Sequence, residues 1–154
     1  MIRLLKNYGL ISIIYLVLTK IFTVLTFRKA RLIRYPIIIR GKAQINVGYG
    51  FTTGKYCRIE TFNNGLNHKK DIISIGQNVQ INDMVHISGI KSINIGNNTL
   101  IASRVYISDH DHGSYEGSDQ SDPEIIPIKR ELFAEPIVIK DNVWIGENVS
   151  ILKG

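Results

Sequence analysis

Apolar side chains recur at every sixth position over most of the chain. The repeated positions, mostly isoleucine, form four sets: Val47, Thr53 and Ile59; Ile75, Ile81 and Ile87; Ile95, Ile101 and Ile107; and Ile139, Ile145 and Ile151. An amphipathic helix repeats every 3.6 residues and a strand every two, so neither element gives this spacing. Six residues make a short strand and a turn, and three such units close one coil. The pattern therefore predicts an all-β fold, a parallel β-helix whose stacked coils lie about 4.8 Å apart.

Three breaks in the spacing predict insertions between the strands. Two extra residues fall near 89–92, ten near 61–70, and about 26 near 109–135. Long insertions in a compact fold are commonly functional, so the longest one is the first place to look for chemistry. It begins with Asp109-His110-Asp111-His112-Gly113.

The N-terminal segment differs from the repeats and predicts an α-helix. Residues 10–27 are almost all apolar, with Lys20 near their middle, and basic residues flank them on both sides. We interpret residues 1–34 as a helical segment that lies in a membrane interface, held by its apolar side chains and by anionic lipid. The alternative is a helix packed against the protein or an oligomer partner. Residues 35–154 form the β-helix, which reaches Gly154 in mid-coil, so we expect a C-terminal truncation.

Charge is distributed unevenly along the chain. Residues 1–59 hold eleven basic residues and no acidic one, although the net charge of the whole chain is only +6. Such a basic segment favours an anionic partner, either a membrane surface or a nucleic acid. The chain lacks the interleaved aromatic and basic residues of a nucleic-acid platform, so we expect no nucleic-acid partner. The single cysteine, Cys57, fits a reducing compartment and is not evidence for a catalytic thiol.

Two histidines beside aspartates start the long insertion. A His–carboxylate pair is a common general base, because the acid orients the ring and stabilises its charged form. His110 and His112 are therefore the candidate bases, although the same residues could bind a metal. Trp144 precedes the inward Ile145 and should point outward, where it would pack against a subunit or stack on a cofactor.

The run Ile95-Gly96-Asn-Asn-Thr-Leu-Ile-Ala-Ser-Arg-Val-Tyr-Ile-Ser-Asp-His-Asp-His, followed by a long loop and Asn142-Val-Trp-Ile-Gly146, resembles the hexapeptide-repeat O-acetyltransferases. With Ile81-Asn82-Asp83 and the basic apolar N-terminus, the chain looks most similar to the O-acetyltransferases of lipopolysaccharide O-antigen and capsular polysaccharide. The resemblance implies a left-handed parallel β-helix with a long extruded loop. It also implies a homotrimer with active sites between subunits, acetyl-CoA as co-substrate with no metal required, and a sugar or lipid-linked glycan as acceptor. We expect a cytoplasmic location, peripheral on the inner face of the cytoplasmic membrane.

The same resemblance implies roles for individual residues. Counted without gaps from Gly96, the family's base falls on His112, which we prefer; a shift of two residues selects His110. Asn82 matches a position near the acceptor sugar, and we add Asp83 and Asp111 as substrate-binding candidates. Trp144 and Gly146 would line the coenzyme arm.

Two other functions are compatible with the sequence. A γ-type carbonic anhydrase on the same fold would need three histidines on a metal, which His86, His110 and His112 could supply, although their spacing does not match that family. The chain could also be an inactive truncated remnant or an assembly protein.

Overall fold

The computed structural model describes residues 2–62, 71–118 and 120–153, with side chains from residue 9 onward. Helix α1 spans Ile2–Thr26 and 3-10 turns span Lys42–Gln44 and Pro127–Lys129. The strands, in chain order, are β1 (Ile37–Arg40), β2 (Ile45–Val47), β3 (Thr52–Thr53), β4 (Cys57–Thr61), β5 (Ile73–Ile75), β6 (Gln80–Ile81), β7 (His86–Gly89), β8 (Ile93–Ile95), β9 (Leu100–Ile101), β10 (Tyr106–Ser108), β11 (His110–His112), β12 (Leu132–Ala134), β13 (Ile137–Ile139), β14 (Trp144–Ile145) and β15 (Ser150–Ile151).

The strands form a parallel β-helix with three faces. The first face is β2-β5-β8-β13, the second is β3-β6-β9-β14, and the third is β1-β4-β7-β10-β15. Val47, Ile75, Ile95 and Ile139 lie in register on the first face, and Ile59, Ile87, Ile107 and Ile151 do so on the third. The ladders predicted from the six-residue spacing are thus confirmed. Their side chains fill the interior, which is the hydrophobic core of the protein.

The corners of the coil explain the recurrent asparagines. Asn78, Asn98, Asn142 and Asn148 all have φ between 53° and 61°, in the left-handed region. Asparagine tolerates this region better than most residues. Position 96 requires glycine for a steric reason, since a Cβ there would collide with the backbone of Lys140 and Asp141 in the next coil.

Helix α1 covers the first end of the stack with one of its faces. Thr19 and Thr23 of the helix, and Phe27 directly after it, are buried there, and the Thr23 hydroxyl accepts a hydrogen bond from the backbone N–H of Ile33. Just after the helix, Leu32 pairs with Thr52 of β3. One face of the helix therefore packs on the protein, which was the alternative interpretation of this segment.

The opposite face of α1 is exposed and apolar. It forms a stripe of eight side chains: Leu10, Ile11, Ile14, Val17, Leu18, Ile21, Val24 and Leu25. By length and composition alone, the window Gly9–Thr26 is also sufficient to cross a membrane. Packing on the coil thus accounts for only one side of this helix.

The longest insertion leaves the coil as a pair of antiparallel strands. His110, Asp111 and His112 of β11 pair with Ala134, Phe133 and Leu132 of β12. The two histidines therefore lie on a strand at the base of the insertion. The insertion predicted near 61–70 follows β4, and its residues 63–70 lie outside the described part of the chain.

Candidate active site

Asp109 and His110 form a His–carboxylate pair where the long insertion leaves the third face. Oδ1 of Asp109 lies 3.0 Å from Nδ1 of His110. Asp109 is fully buried, whereas the His110 side chain remains 12% exposed. The pair thus combines a carboxylate shielded from water with an imidazole that solvent or a substrate can reach.

The short insertion in the preceding coil holds the Asp109 carboxylate. The backbone N–H groups of Ile90, Lys91 and Ser92 all donate hydrogen bonds to it, at 2.8 to 2.9 Å for the shortest contact of each. Burial by itself raises the pKa of Asp109, but the hydrogen bonds from His110 and from these three amides outweigh it and lower the pKa below its ordinary value. Asp109 is therefore ionised at neutral pH.

The ionised carboxylate fixes the tautomer of His110. Because Asp109 can only accept hydrogen bonds, Nδ1 of His110 carries the proton and donates it. Nε2 is then left with the lone pair, which is the arrangement of a general base. The rings of Phe62 and His110 meet in a T-shaped arrangement, with their centroids 6.4 Å apart.

His112 and Asp111 are placed differently. His112 is exposed, and within the described residues its ring has no hydrogen-bond partner, although its carbonyl oxygen accepts a hydrogen bond from the Tyr115 hydroxyl. Asp111 forms an ion pair with Lys153 at 3.5 Å. Neither side chain has the buried carboxylate support that His110 has.

A second cluster, which the sequence did not suggest, surrounds the buried Glu60 on the same face. Oε2 of Glu60 lies 2.6 Å from Nη2 of Arg58 and 3.2 Å from Nε2 of His86. Oε1 lies 3.3 Å from Nη1 of Arg40, but the angle does not make a hydrogen bond. Glu60 thus gathers three basic side chains at the surface. The sequence did contain a signal for this cluster. Glu60 is an isolated acidic residue among many basic ones, and an acidic side chain on a buried strand needs basic partners.

His86 is the member of this cluster whose pKa is shifted. Burial and the charge of Arg58 lower its pKa, and Glu60 only partly offsets them, so His86 is neutral at pH 7. A charge on His110 acts on the pKa of His86 in the same direction as that of Arg58. Its ring also packs against Tyr106, with centroids 5.2 Å apart.

The remaining sequence candidates lie at the second face and its following corner. Trp144 is 74% exposed and pairs with Leu100 one coil below. Gly146 adjoins open space, since a Cβ there would meet no atom within 4 Å. Asn82 lies at the same corner two coils lower, where its side-chain oxygen accepts a hydrogen bond from Gln80. Asp83, beside it, accepts one from the backbone of Lys55.

One chain therefore does not bring all the candidates together. Asp109, His110 and Asp111 lie beyond the end of β10, whereas Asn82, Asp83 and Gly146 lie at the corner that precedes the third face. The strands of the third face separate the two groups. In the described part of the chain, no three His, Cys, Asp or Glu side chains converge as a metal site, and this includes His86, His110 and His112.

Comparison with known proteins identifies the class. No family model matches the chain. A solved structure of similar fold is a serine-to-alanine mutant of AntD, an N-acyltransferase from Bacillus cereus, in complex with dTDP-4-amino-4,6-dideoxyglucose and coenzyme A. The TM-score is 0.62 at 18% identity, over 81% of this chain and 63% of that one, so this chain spans less than two thirds of that protein. The fold is the left-handed parallel β-helix of the hexapeptide-repeat acyltransferases, as the resemblance implied.

Sequence similarity is more specific than the fold. The chain is 44% identical over 154 residues to the "Putative lipopolysaccharide biosynthesis O-acetyl transferase WbbJ" of Escherichia coli (strain K12), covering 99% of this chain and 76% of that protein. The chain belongs to this family of lipopolysaccharide-biosynthesis O-acetyltransferases. The predicted family and enzyme class, an acyltransferase, are confirmed.

Proposed function

We propose that this protein transfers an acetyl group from acetyl-CoA to a sugar hydroxyl of a bacterial surface polysaccharide, with His110 as the general base. The Asp109–His110 pair carries the proposal, because it supplies a base of defined tautomer at a reachable surface. The family relation to WbbJ supports acetyl transfer in lipopolysaccharide biosynthesis. His112, which we preferred on sequence grounds, is the second candidate because it lies two residues away on the same strand.

The chemistry is direct transfer. Nε2 of His110 takes the proton of the sugar hydroxyl as its oxygen attacks the thioester carbonyl. The tetrahedral intermediate collapses, the carbon–sulfur bond breaks, and the proton on His110 passes to the departing thiolate. Donors such as backbone N–H groups would stabilise the oxyanion. Cys57 has no part, since burial raises the pKa of its thiol to about 11 and keeps it protonated.

The co-substrate and acceptor follow from the neighbours and from the exposed residues. The AntD complex contains coenzyme A and a nucleotide sugar, which supports acyl-CoA and a sugar as the two substrates here. Trp144 offers an exposed indole against which the coenzyme arm would lie, beside the open space at Gly146. Asn82, Asp83 and Asp111 would contact the acceptor.

A homotrimer accounts for the separation of the candidates. The proposed base and Asp111 lie at one end of the third face, whereas Asn82, Asp83, Trp144 and Gly146 lie towards its other end. In a ring of identical subunits the same pair of surfaces meets at each interface. We propose that the active site forms between neighbouring chains, with His110 from one and Trp144 from the other.

We also propose that the enzyme is cytoplasmic and lies on the inner face of the cytoplasmic membrane through the apolar stripe of α1. The stripe is exposed, and the surrounding N-terminal residues carry only positive charge. A lipid-linked glycan acceptor would then be held at the same surface as the enzyme.

Radiolabelled acetyl transfer to a panel of lipid-linked and free glycans tests the reaction. We expect His110→Ala to lower kcat at least about 100-fold, since a positioned base contributes on this scale. His112→Ala is the matched control, two residues away on the same strand, and should retain activity within a few fold. Near-normal activity of the His110 variant, or a larger loss in the His112 variant, would contradict the assignment.

A further inference from the structure

A cationic pocket lies between α1 and the second face, away from the Asp109–His110 pair. Its volume is about 490 Å³, and it is lined by Lys20, Arg31, Leu32, Arg34, Thr52 and Gln80. Three of these six residues are basic. Thr52 and Gln80, neighbours in register, offer additional polar groups at its floor. Neither the proposed transfer nor the coenzyme residues use this pocket, which we call the basic pocket.

The three cations have no acidic partner in the described residues. Nζ of Lys20 donates to the carbonyl oxygen of Arg31 at 2.9 Å, and Nη1 of Arg34 donates to that of Thr53 at 2.7 Å. Each contact fixes the direction of a side chain but uses only one of its donors. A lysine ammonium has three and an arginine guanidinium five. The remaining N–H groups and the uncompensated charge favour an anion, and a phosphate group matches the planar fork of arginine.

The basic pocket opens beside the apolar stripe of α1. Successive residues of a helix are 100° apart, so Lys20 lies next to Val17, three residues before it, and Val24, four residues after it. Both valines belong to the exposed stripe. Lys20 therefore marks the border where the apolar face ends and the pocket begins. A helix lying in a membrane interface places this border at the level of the lipid headgroups.

We propose that the basic pocket binds the phosphate of a membrane lipid while the stripe contacts the acyl region. This deepens, and rests on, the proposed membrane attachment of the enzyme. The phosphate could belong to an ordinary anionic phospholipid or to the phosphate linker of a lipid-linked glycan. Both lipids present a phosphate group at the level of the headgroups, and the two probes of the binding experiment distinguish them.

The binding test uses the full-length protein and a soluble probe. Dihexanoyl phosphatidylglycerol, below its micelle concentration, is titrated by calorimetry, and farnesyl diphosphate forms the second arm. The pocket variant is Lys20→Gln with Arg31→Gln. The control variant, Arg28→Gln with Lys29→Gln, removes the same charge from the same segment outside the pocket lining. We expect saturable binding of at least one probe, weakened at least tenfold in the pocket variant and less than threefold in the control. The stronger probe identifies the source of the phosphate.

Two results would contradict the proposal that the basic pocket binds a lipid phosphate. Wild-type protein that binds neither probe lacks the site, and equal losses in the two variants mean that only net charge matters. A third measurement separates the pocket from membrane attachment, namely sedimentation of a stripe variant, Ile14→Gln with Val17→Gln, with phosphatidylglycerol vesicles. If this variant binds the soluble probe but sediments like the wild type, the membrane proposal fails and the pocket stands.

Discussion

Oδ2 of Asp109 accepts a hydrogen bond of 2.8 Å from the backbone N–H of Ser92, 17 residues earlier in the chain. The contact joins the two-residue insertion of one coil to the long insertion of the next. The direction in which His110 points is therefore set by backbone outside its own loop. This support of Asp109 does not depend on the rest of the long insertion.

Asp109→Asn should reduce both activity and stability. An amide cannot accept from three backbone N–H groups and His110 as a carboxylate does, so we expect a loss of about 1–3 kcal/mol in unfolding free energy at pH 7. Because folding lowers the pKa of Asp109, its stabilisation is fully present above its ordinary value of 3.8 and disappears as the pH falls below it. Denaturant unfolding at pH 7 and at low pH measures the difference. A gap between variant and wild type that does not narrow in acid would contradict this account.

Glu60→Gln should lower the pKa of His86 further. Glu60 is the group that opposes the lowering caused by burial and by Arg58, so removing its charge leaves those causes unopposed. NMR titration of the imidazole checks this directly, with Tyr106→Phe as the control, because that change keeps the ring contact and alters no charge. Since folding already lowers the pKa of His86, stability falls as the pH drops from 6.5 towards the folded-state pKa, and in the variant this loss should become larger and extend to lower pH. An unchanged or raised pKa would contradict the Glu60–His86 contact.

Trp144→Ala should raise the KM for acetyl-CoA about tenfold while kcat changes little. An aromatic contact is worth about 0.5–1.5 kcal/mol beyond its buried area. Stability should hardly change, because the indole is 74% exposed. Leu100→Ala, one coil below in the same column, is the matched control. A normal KM together with dissociation of the oligomer, seen by analytical ultracentrifugation, would instead assign Trp144 to subunit packing.

Polar substitution in the apolar stripe should release the protein from anionic vesicles without unfolding it. Ile14→Gln with Val17→Gln removes two exposed side chains whose burial in lipid is worth about 1.5–3 kcal/mol each. We expect at least a tenfold loss of vesicle affinity by sedimentation and an unchanged Tm. Ile38→Gln, also exposed but on β1, should leave vesicle binding intact. Deleting residues 1–34 is a poorer test, because it also removes Thr23, Phe27 and Ile33 from the core.

The six-residue spacing was sufficient to predict the coil, including its register. Inward isoleucines one coil apart pair directly, as Ile81 does with Ile101, because parallel pairing of successive coils brings equivalent repeat positions side by side. The tryptophan was also predicted correctly to point outward. These features depend on local alternation, which a sequence displays directly.

The site was less accessible to sequence reasoning. The hydrogen bonds to the Asp109 carboxylate depend on the direction of the backbone N–H groups in the two-residue insertion. The Glu60 cluster depends on which residues of successive coils share a register. Arg40, Glu60 and His86 have no common motif, and only the pairing of β1, β4 and β7 makes them neighbours. Which histidine is the base, and which chains complete the site, stay predictions.

Helix α1 covers the N-terminal end of the stack. The strands of each later coil pair with those of the preceding coil, at most 44 residues away in the hydrogen-bonded pairs of the stack. A stack of this kind gains stability from neighbouring repeats alone. The coils can therefore be added in the order of translation, each one using the last as its template. The covered end denies the same template to a second molecule, which protects the first coil from edge-to-edge pairing between proteins.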